Sequence, residues 1–387
     1  MRATSAMRPA GAGTRSRFPR RPVALIAALL AVAGCATAPP ARAQAGTPGG
    51  VAPAVLYVCN QNDATVSVID TRTQQVVRVI DLQQLGFSAN AKPHHVAIEP
   101  DGSFWYLTLI GDGRIVKLDR DDRVVAQVPF ETPGMLALHP RADLLYVGRS
   151  MTAVNPPRRI GVIRRSDMQL EEVEVLFPRP HALGLEPRSG AVYTASLAVN
   201  QLAVYDPASE NVRVLEVAGE PHALMQFAVS PDGTLLAVSG ELSGEVIFFD
   251  ISAPLEPRRI ATIEVGPQPF DPVFTRDGRF LYLGNKAANT VTVIDVPGRR
   301  VASVIRGAGL AQPHGTAVSP DGRWVYVSNN NTGQAHAMNP DGSHAPSTPA
   351  APAGKGTLVV IDVAAQAIAH VIEVGHNASG IAVPAVP

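Results

Sequence analysis

Aromatic residues make up only 5% of this chain, charged residues 17%, and cysteine occurs just twice. Each scarcity excludes something. Two cysteines cannot build a disulfide framework or a multi-thiolate metal centre. Low charge without runs of one sign excludes a disordered polyelectrolyte. No apolar run reaches the ~20 residues that cross a bilayer as a helix. The usual catalytic signatures are missing too: there is no Gly-x-Ser-x-Gly elbow, Cys-x-x-Cys-His, His-Glu-x-x-His or phosphate-cradling glycine loop. Lysine and arginine balance aspartate and glutamate at 33 each. Six of those arginines (Arg2, Arg8, Arg15, Arg17, Arg20, Arg21) fall in the first 34 residues, leaving 27 basic against 33 acidic groups beyond them. A basic footprint for nucleic acid is therefore absent, and none is expected as a partner.

What is present is 46% hydrophobic residues with 33 glycines and 34 prolines, enough for a large core cut by many turns. The apolar residues come in short Val/Ile/Leu runs bounded by Gly, Pro, Asp and Asn, the pattern of short strands.

Residues 1–34 read as an export signal: a basic segment, an apolar core of about a dozen residues, then small residues before a cysteine. Val32-Ala33-Gly34-Cys35 resembles the bacterial lipobox, which implies cleavage before Cys35, lipid on its sulfur and a membrane-anchored lipoprotein facing the periplasm. Residues 35–53 then form an Ala/Pro/Gly-rich tether. Cleavage after Ala43, giving a soluble periplasmic or secreted protein, is the alternative. With Cys35 lipidated, Cys59 stands alone and reads as a small packed thiol.

From residue 54 to 384 one unit recurs. The residues at the head of each "LYV"-like strand are Tyr57, Tyr106, Tyr146, Tyr193, Ala237, Tyr282 and Tyr326, spaced 40 to 49 apart. Such a period signals an array of identical supersecondary units. Each holds an apolar run, a tight turn such as Asp101-Gly102, Asp232-Gly233, Asp277-Gly278 or Asp321-Gly322, a "YVSN"-like strand, an alternating strand ending in Asp ("TVSVID", "TVTVID", "TLVVID") and a fourth strand. Seven sets of four antiparallel strands without helical periodicity predict an all-β, seven-bladed β-propeller, expected to be monomeric. The chain enters at "VLYVCN", a second strand, and ends on "SGIAVP", a spare first strand, so the C-terminal strand should complete the first blade and close the ring.

"YVCNQNDATVSVID", "YLGNKAANTVTVID" and "AVSPDGRWVYVSNN" resemble the YVTN-repeat family of bacterial and archaeal propellers. Blades three and four depart most, with Arg164 in place of the strand-ending Asp and "HPRAD" and "EPRSG" in place of the Asp-Gly turns. The resemblance implies an extracytoplasmic propeller. It does not fix a ligand.

With strands A to D in each blade, the D–A and B–C connections share one face and strand A lines the channel, so a site is expected at that mouth. Aligning the units six residues before the "P" of "SPDG" gives His94, Gly134, His181, Met225, Phe270, His314 and Ala378; His95, His222 and His376 lie close by. Converging imidazoles suit copper or zinc, with His94, His95, His181 and His314 as ligands; the other reading is a polar channel lining bonded to backbone carbonyls or water. The B–C loops are expected to bring Arg149 and Lys286, able to clamp an anion, and Glu241 and Asp271, which could ligate or act as bases. An insertion at 329–356 carries His336, Met338 and His344. Three functions follow: a binding or scaffold propeller for a protein or small molecule, a metal-dependent redox propeller, or a lactonase-like hydrolase using Arg149, His181 and Glu241.

Overall fold

The computed structural model describes residues 54–152, 158–335, 339, 348–349 and 353–384. The signal and tether, Cys35, His336, Met338 and His344 lie outside them.

Seven four-stranded antiparallel sheets form the blades of a β-propeller, and among the described residues there is no helix. None is therefore long and apolar enough to cross a membrane. Blade 1 is closed by the chain ends: strand Ala378–Ala382 pairs antiparallel with Val55–Asn60, so the last strand is strand A of the first blade. In blades 2 to 7 strand A is Pro93–Ile98, Pro133–Leu138, Pro180–Leu185, Leu224–Val229, Pro269–Phe274 and Pro313–Val318.

Burial follows the pleat and the stacking together. Central strands such as Thr65–Asp70 are buried on both sides, because both blade faces meet a neighbour. Outer strands such as Val124–Pro129 alternate with solvent. Among the described residues seven of the apolar clusters each span two adjacent blades, for example Tyr57, Val66 and Val68 with Trp105, Leu107 and Val116. Adhesion between blades is thus the core itself. The Asp-Gly turns hold Gly102, Gly233, Gly278 and Gly322 at φ of 66° to 72°, the left-handed backbone that glycine adopts without strain.

Where those turns are replaced, the backbone is satisfied differently. In blade 3 the His139 Nδ1 accepts the amides of Arg141 and Ala142, and in blade 4 the buried Glu186 carboxylate accepts those of Arg188 and Ser189.

Two repeated details shape the mouth. First, every A–B pair is bulged near the start of strand A, as between Pro93 and Val96 or Pro313 and Thr316. Such a bulge re-aims the side chains beside it. Second, the residue preceding each strand A is left-handed: Lys92, Thr132, Arg179, Ala223, Gln268, Gln312 and Asn377, at φ of 45° to 58°. Its carbonyl accepts the amide of the residue that follows strand B in the same blade, seven times over: Ile110, Ser150, Leu197, Glu241, Lys286, Asn330 and Gln61, at 2.8 to 3.2 Å.

Candidate functional site at the channel mouth

Those seven residues after strand B form an upper ring, and the second residues of the A strands form a ring beneath it: His94, Gly134, His181, Met225, Phe270, His314 and Ser379. The closing blade corrects the expected count. Pairing places Ala378 opposite Asn60, as Pro93 stands opposite Leu109, so Ser379 and not Ala378 is the counterpart of His94. Counting back from Pro384 misses this because the closing strand is one residue shorter.

The rings divide into two sectors. Leu197, Met225 and Phe270 pack with Ala223 into an apolar plug, edged by Met151 and Leu242. The remaining sector holds a cavity of about 130 Å³, partly open to solvent, lined by Gln61, His94, Ile110, Ser150, Met151, Thr152, Glu241, Lys286, His314, Asn330 and Asn377.

Four of the predicted residues meet there. The Gln61 amide donates to His94 Nδ1 at 2.9 Å, which leaves the proton of a neutral imidazole on Nε2, an atom without a partner in the protein. His314 packs edge-on to His94, with ring centroids 5.9 Å apart, and lies 4.6 Å from the Phe270 ring; its Nδ1 also lacks a partner. Burial, followed by nearby positive charge, holds both histidines well below the ordinary imidazole range, so they are neutral. Lys286 sets its ammonium 4.7 Å from the centre of the same Phe270 ring. On the neighbouring blade Glu241, only 5% exposed, carries a carboxylate oxygen with no partner.

Glu241 and Lys286 feel each other without touching. Burial pushes the Glu241 carboxyl up to about 7, an effect that the Lys286 charge opposes. Burial likewise lowers Lys286, and Glu241 opposes that. Among the described residues the two form no ion pair, and both line the same cavity.

The other predicted residues are employed elsewhere. Arg149 does not reach the mouth: strand alternation turns it into the blade, where its guanidinium donates to the Glu131 and Arg159 carbonyls, pairs with Glu172 at 3.1 Å and stacks 3.8 Å from Phe130. His181 is buried and donates from Nδ1 to the Arg149 carbonyl at 2.7 Å. His95 accepts the Leu136 amide through Nδ1, and burial lowers its pKa to about 4. His222 lies behind the rings, with Nε2 at 3.3 Å from the Ala218 carbonyl and Nδ1 3.6 Å from the Glu245 carboxylate. His376 pairs with Asp63 on an exposed edge. Asp271 follows Phe270 in strand A, outside the cavity lining, with its carboxyl raised by burial to about 7.

The four-histidine metal centre is thereby corrected. Among the described residues no three His, Cys, Asp or Glu side chains come together as ligands. His95 and His181 are turned to backbone partners, and only His94 and His314 face the cavity.

Sequence reasoning missed Gln61, Ile110, Ser150, Asn330 and Asn377. The signal was available: four of them directly follow strand B, the same repeat position that gave Glu241 and Lys286.

A family model described as lactonase, 7-bladed beta-propeller, matches residues 155–345. No curated protein matches the chain. Among solved structures, the chain is similar to a functionally unknown protein from Desulfotomaculum acetoxidans (13% identity, 85% of this chain and 98% of that one, TM-score 0.65). It is similar to the dihydro-heme d1 dehydrogenase NirN (18%, 87% and 77%, 0.57) and to the hydrazine synthase of Kuenenia stuttgartiensis (18%, 74% and 94%, 0.58). At such identities what is shared is the architecture, and this chain is a seven-bladed β-propeller.

Proposed function

We propose that the chain is an exported, lipid-anchored propeller of the YVTN-repeat kind that binds a small polar molecule in its channel mouth. The observation that carries the reading is the set of unpartnered buried atoms, Glu241 Oε2, His94 Nε2 and His314 Nδ1, on residues that line one cavity. An unsatisfied buried polar group costs about 1–3 kcal/mol, and a built site recovers that cost when a ligand arrives. His94 Nε2–H and Lys286 offer donors and Glu241 an acceptor, which suits a compound rich in carbonyl and hydroxyl oxygens. Thermal-shift screening of hydroxy acids, lactones and monosaccharides tests this. The expected hit loses its stabilising effect in Glu241→Gln and in His94→Leu; a hit that is indifferent to both variants overturns the assignment of the mouth.

Glu241 favours a second reading, hydrolysis of a lactone. A carboxyl that titrates near neutral pH beside a cation suits a general base for water, with His94 Nε2–H and Lys286 disposed toward the carbonyl oxygen. The matched lactonase model spans Glu241 and Lys286. Of the trio expected from sequence, Glu241 alone lines the cavity. Acid release from γ- and δ-lactones, lowered at least ~100-fold by Glu241→Gln, would support this chemistry, and an inert panel would remove it.

A further inference from the structure

The chain has four lysines, and they occupy four different environments. Lys92 is exposed, and Lys355 is exposed and paired with Glu373 at 2.6 Å. Lys117 is buried but donates its ammonium to the Arg165 carbonyl at 2.7 Å. Lys286 is 8% exposed, lines the mouth cavity, and has an aromatic face and a neighbouring carboxylate in place of a hydrogen-bonded partner. A lysine taken out of water in this way is the kind whose amine becomes available as a nucleophile.

We propose that Lys286 captures the carbonyl carbon of an aldehyde or 2-oxo acid as an imine, with Glu241 moving the protons. The inference rests on the reading of the mouth as a small-molecule site.

In the first step the neutral amine attacks the carbonyl carbon, a C–N bond forms, and the carbonyl π electrons move to oxygen, which takes the proton of the Glu241 carboxyl. The nitrogen then returns a proton to Glu241. In the second step that proton goes to the hydroxyl, the C–O bond breaks, water leaves, and the nitrogen lone pair forms the C=N bond as its remaining proton passes back to the carboxylate. One amine and one carbonyl give one imine and one water, with no change of oxidation state. Burial lowers the Lys286 pKa and raises that of Glu241, so more of the amine is free and more of the carboxyl is protonated at neutral pH than in water. His94 Nε2–H, unpartnered on the cavity wall, is available to the carbonyl oxygen as the charge develops.

The test is reductive trapping of the purified protein at pH 7 with glyoxylate or pyruvate and cyanoborohydride, followed by peptide mapping of the four lysines. Lys286 is expected to be modified at least tenfold faster than Lys92 or Lys355, although both are more accessible. Glu241→Gln is expected to slow Lys286 at least tenfold and leave Lys92 unchanged. Labelling ranked by exposure, with Lys92 and Lys355 first, overturns the proposal, and the wild-type ranking does so without any variant. Thermal shifts with the same carbonyl compounds, without reductant, report occupancy separately. A shift without a Lys286 adduct overturns the imine alone; neither shift nor adduct overturns it and also counts against the mouth as a site for these compounds.

Discussion

The Gln61 side chain donates to Nδ1 of His94 across 2.9 Å, joining the loop after strand B of blade 1 to strand A of blade 2. The Gln61 carbonyl oxygen is in turn 3.5 Å from the Asn377 amide, an orientation that leaves the Gln61 NH₂ for the imidazole. A residue that sequence reasoning passed over therefore sets which nitrogen of the predicted histidine offers a proton to the cavity. Gln61→Leu should free the His94 tautomer and lower ligand affinity severalfold. Stability should fall by only about 1 kcal/mol, the usual net value of one such bond. Calorimetric titration beside thermal unfolding separates the two effects.

Glu241 makes stability fall as pH rises. Its carboxyl titrates near 7 in the folded state and near 4.5 when unfolded, so between those values the folded state holds the proton more tightly. The resulting penalty is absent below pH 4.5 and complete above 7, on the order of 3 kcal/mol. Glu241→Gln should stabilise the protein at pH 8 by an amount of this order and change little at pH 4.5. Chemical denaturation at the two pH values measures the difference.

His95 works in the opposite direction. With its folded pKa lowered from 6.5 to about 4, the unfolded chain binds the proton more readily, and stability is lost as pH falls through that window. His95→Gln should match wild type at pH 7.5 and lose its stability less steeply between 6.5 and 4. Parallel slopes in paired unfolding curves would contradict this.

Arg149→Met should cost about 3 kcal/mol or more, because it abandons the carbonyls of Glu131 and Arg159 and the carboxylate of Glu172. Ligand affinity of the folded fraction should be unchanged, since the guanidinium faces the blade. A selective loss of affinity with normal stability would return Arg149 to the site.

Gly380→Ala tests the closure. An added Cβ would stand 2.2 Å from the His94 carbonyl oxygen, inside the seam between the closing strand and blade 2. Destabilisation should exceed ~2 kcal/mol, and limited proteolysis should release the C-terminal strand first.

The blades were legible because each repeat states them several times over, in the Asp-Gly turns, the tyrosine-headed strands and the alternating strands ending in Asp. The closing strand was equally legible, as a spare A strand at the C-terminus. The site was legible only as a location. Alternation says which face of a strand a side chain takes, but the bulge at the start of strand A and the one-residue difference in the closing strand lie outside that rule. Hence His95 reads as a mouth residue and Ser379 does not; Arg149 reads as part of the loop that follows it, although it still belongs to strand B, where alternation turns it into the blade. Glu241 and Lys286 were found because charges in a loop are conspicuous; Gln61, Asn330 and Ser150, at the same repeat position, were not.

The left-handed residue before each strand A holds the residue after strand B of its own blade by main-chain atoms alone. Seven stations around the mouth are therefore fixed in space by a bond that does not depend on which side chain each carries. Glutamine, isoleucine, serine, leucine, glutamate, lysine and asparagine now occupy them. Exchanging the side chain at one station leaves that main-chain bond in place, so a propeller of this build can acquire a new ligand one seat at a time, at the cost only of the contacts that the replaced side chain makes.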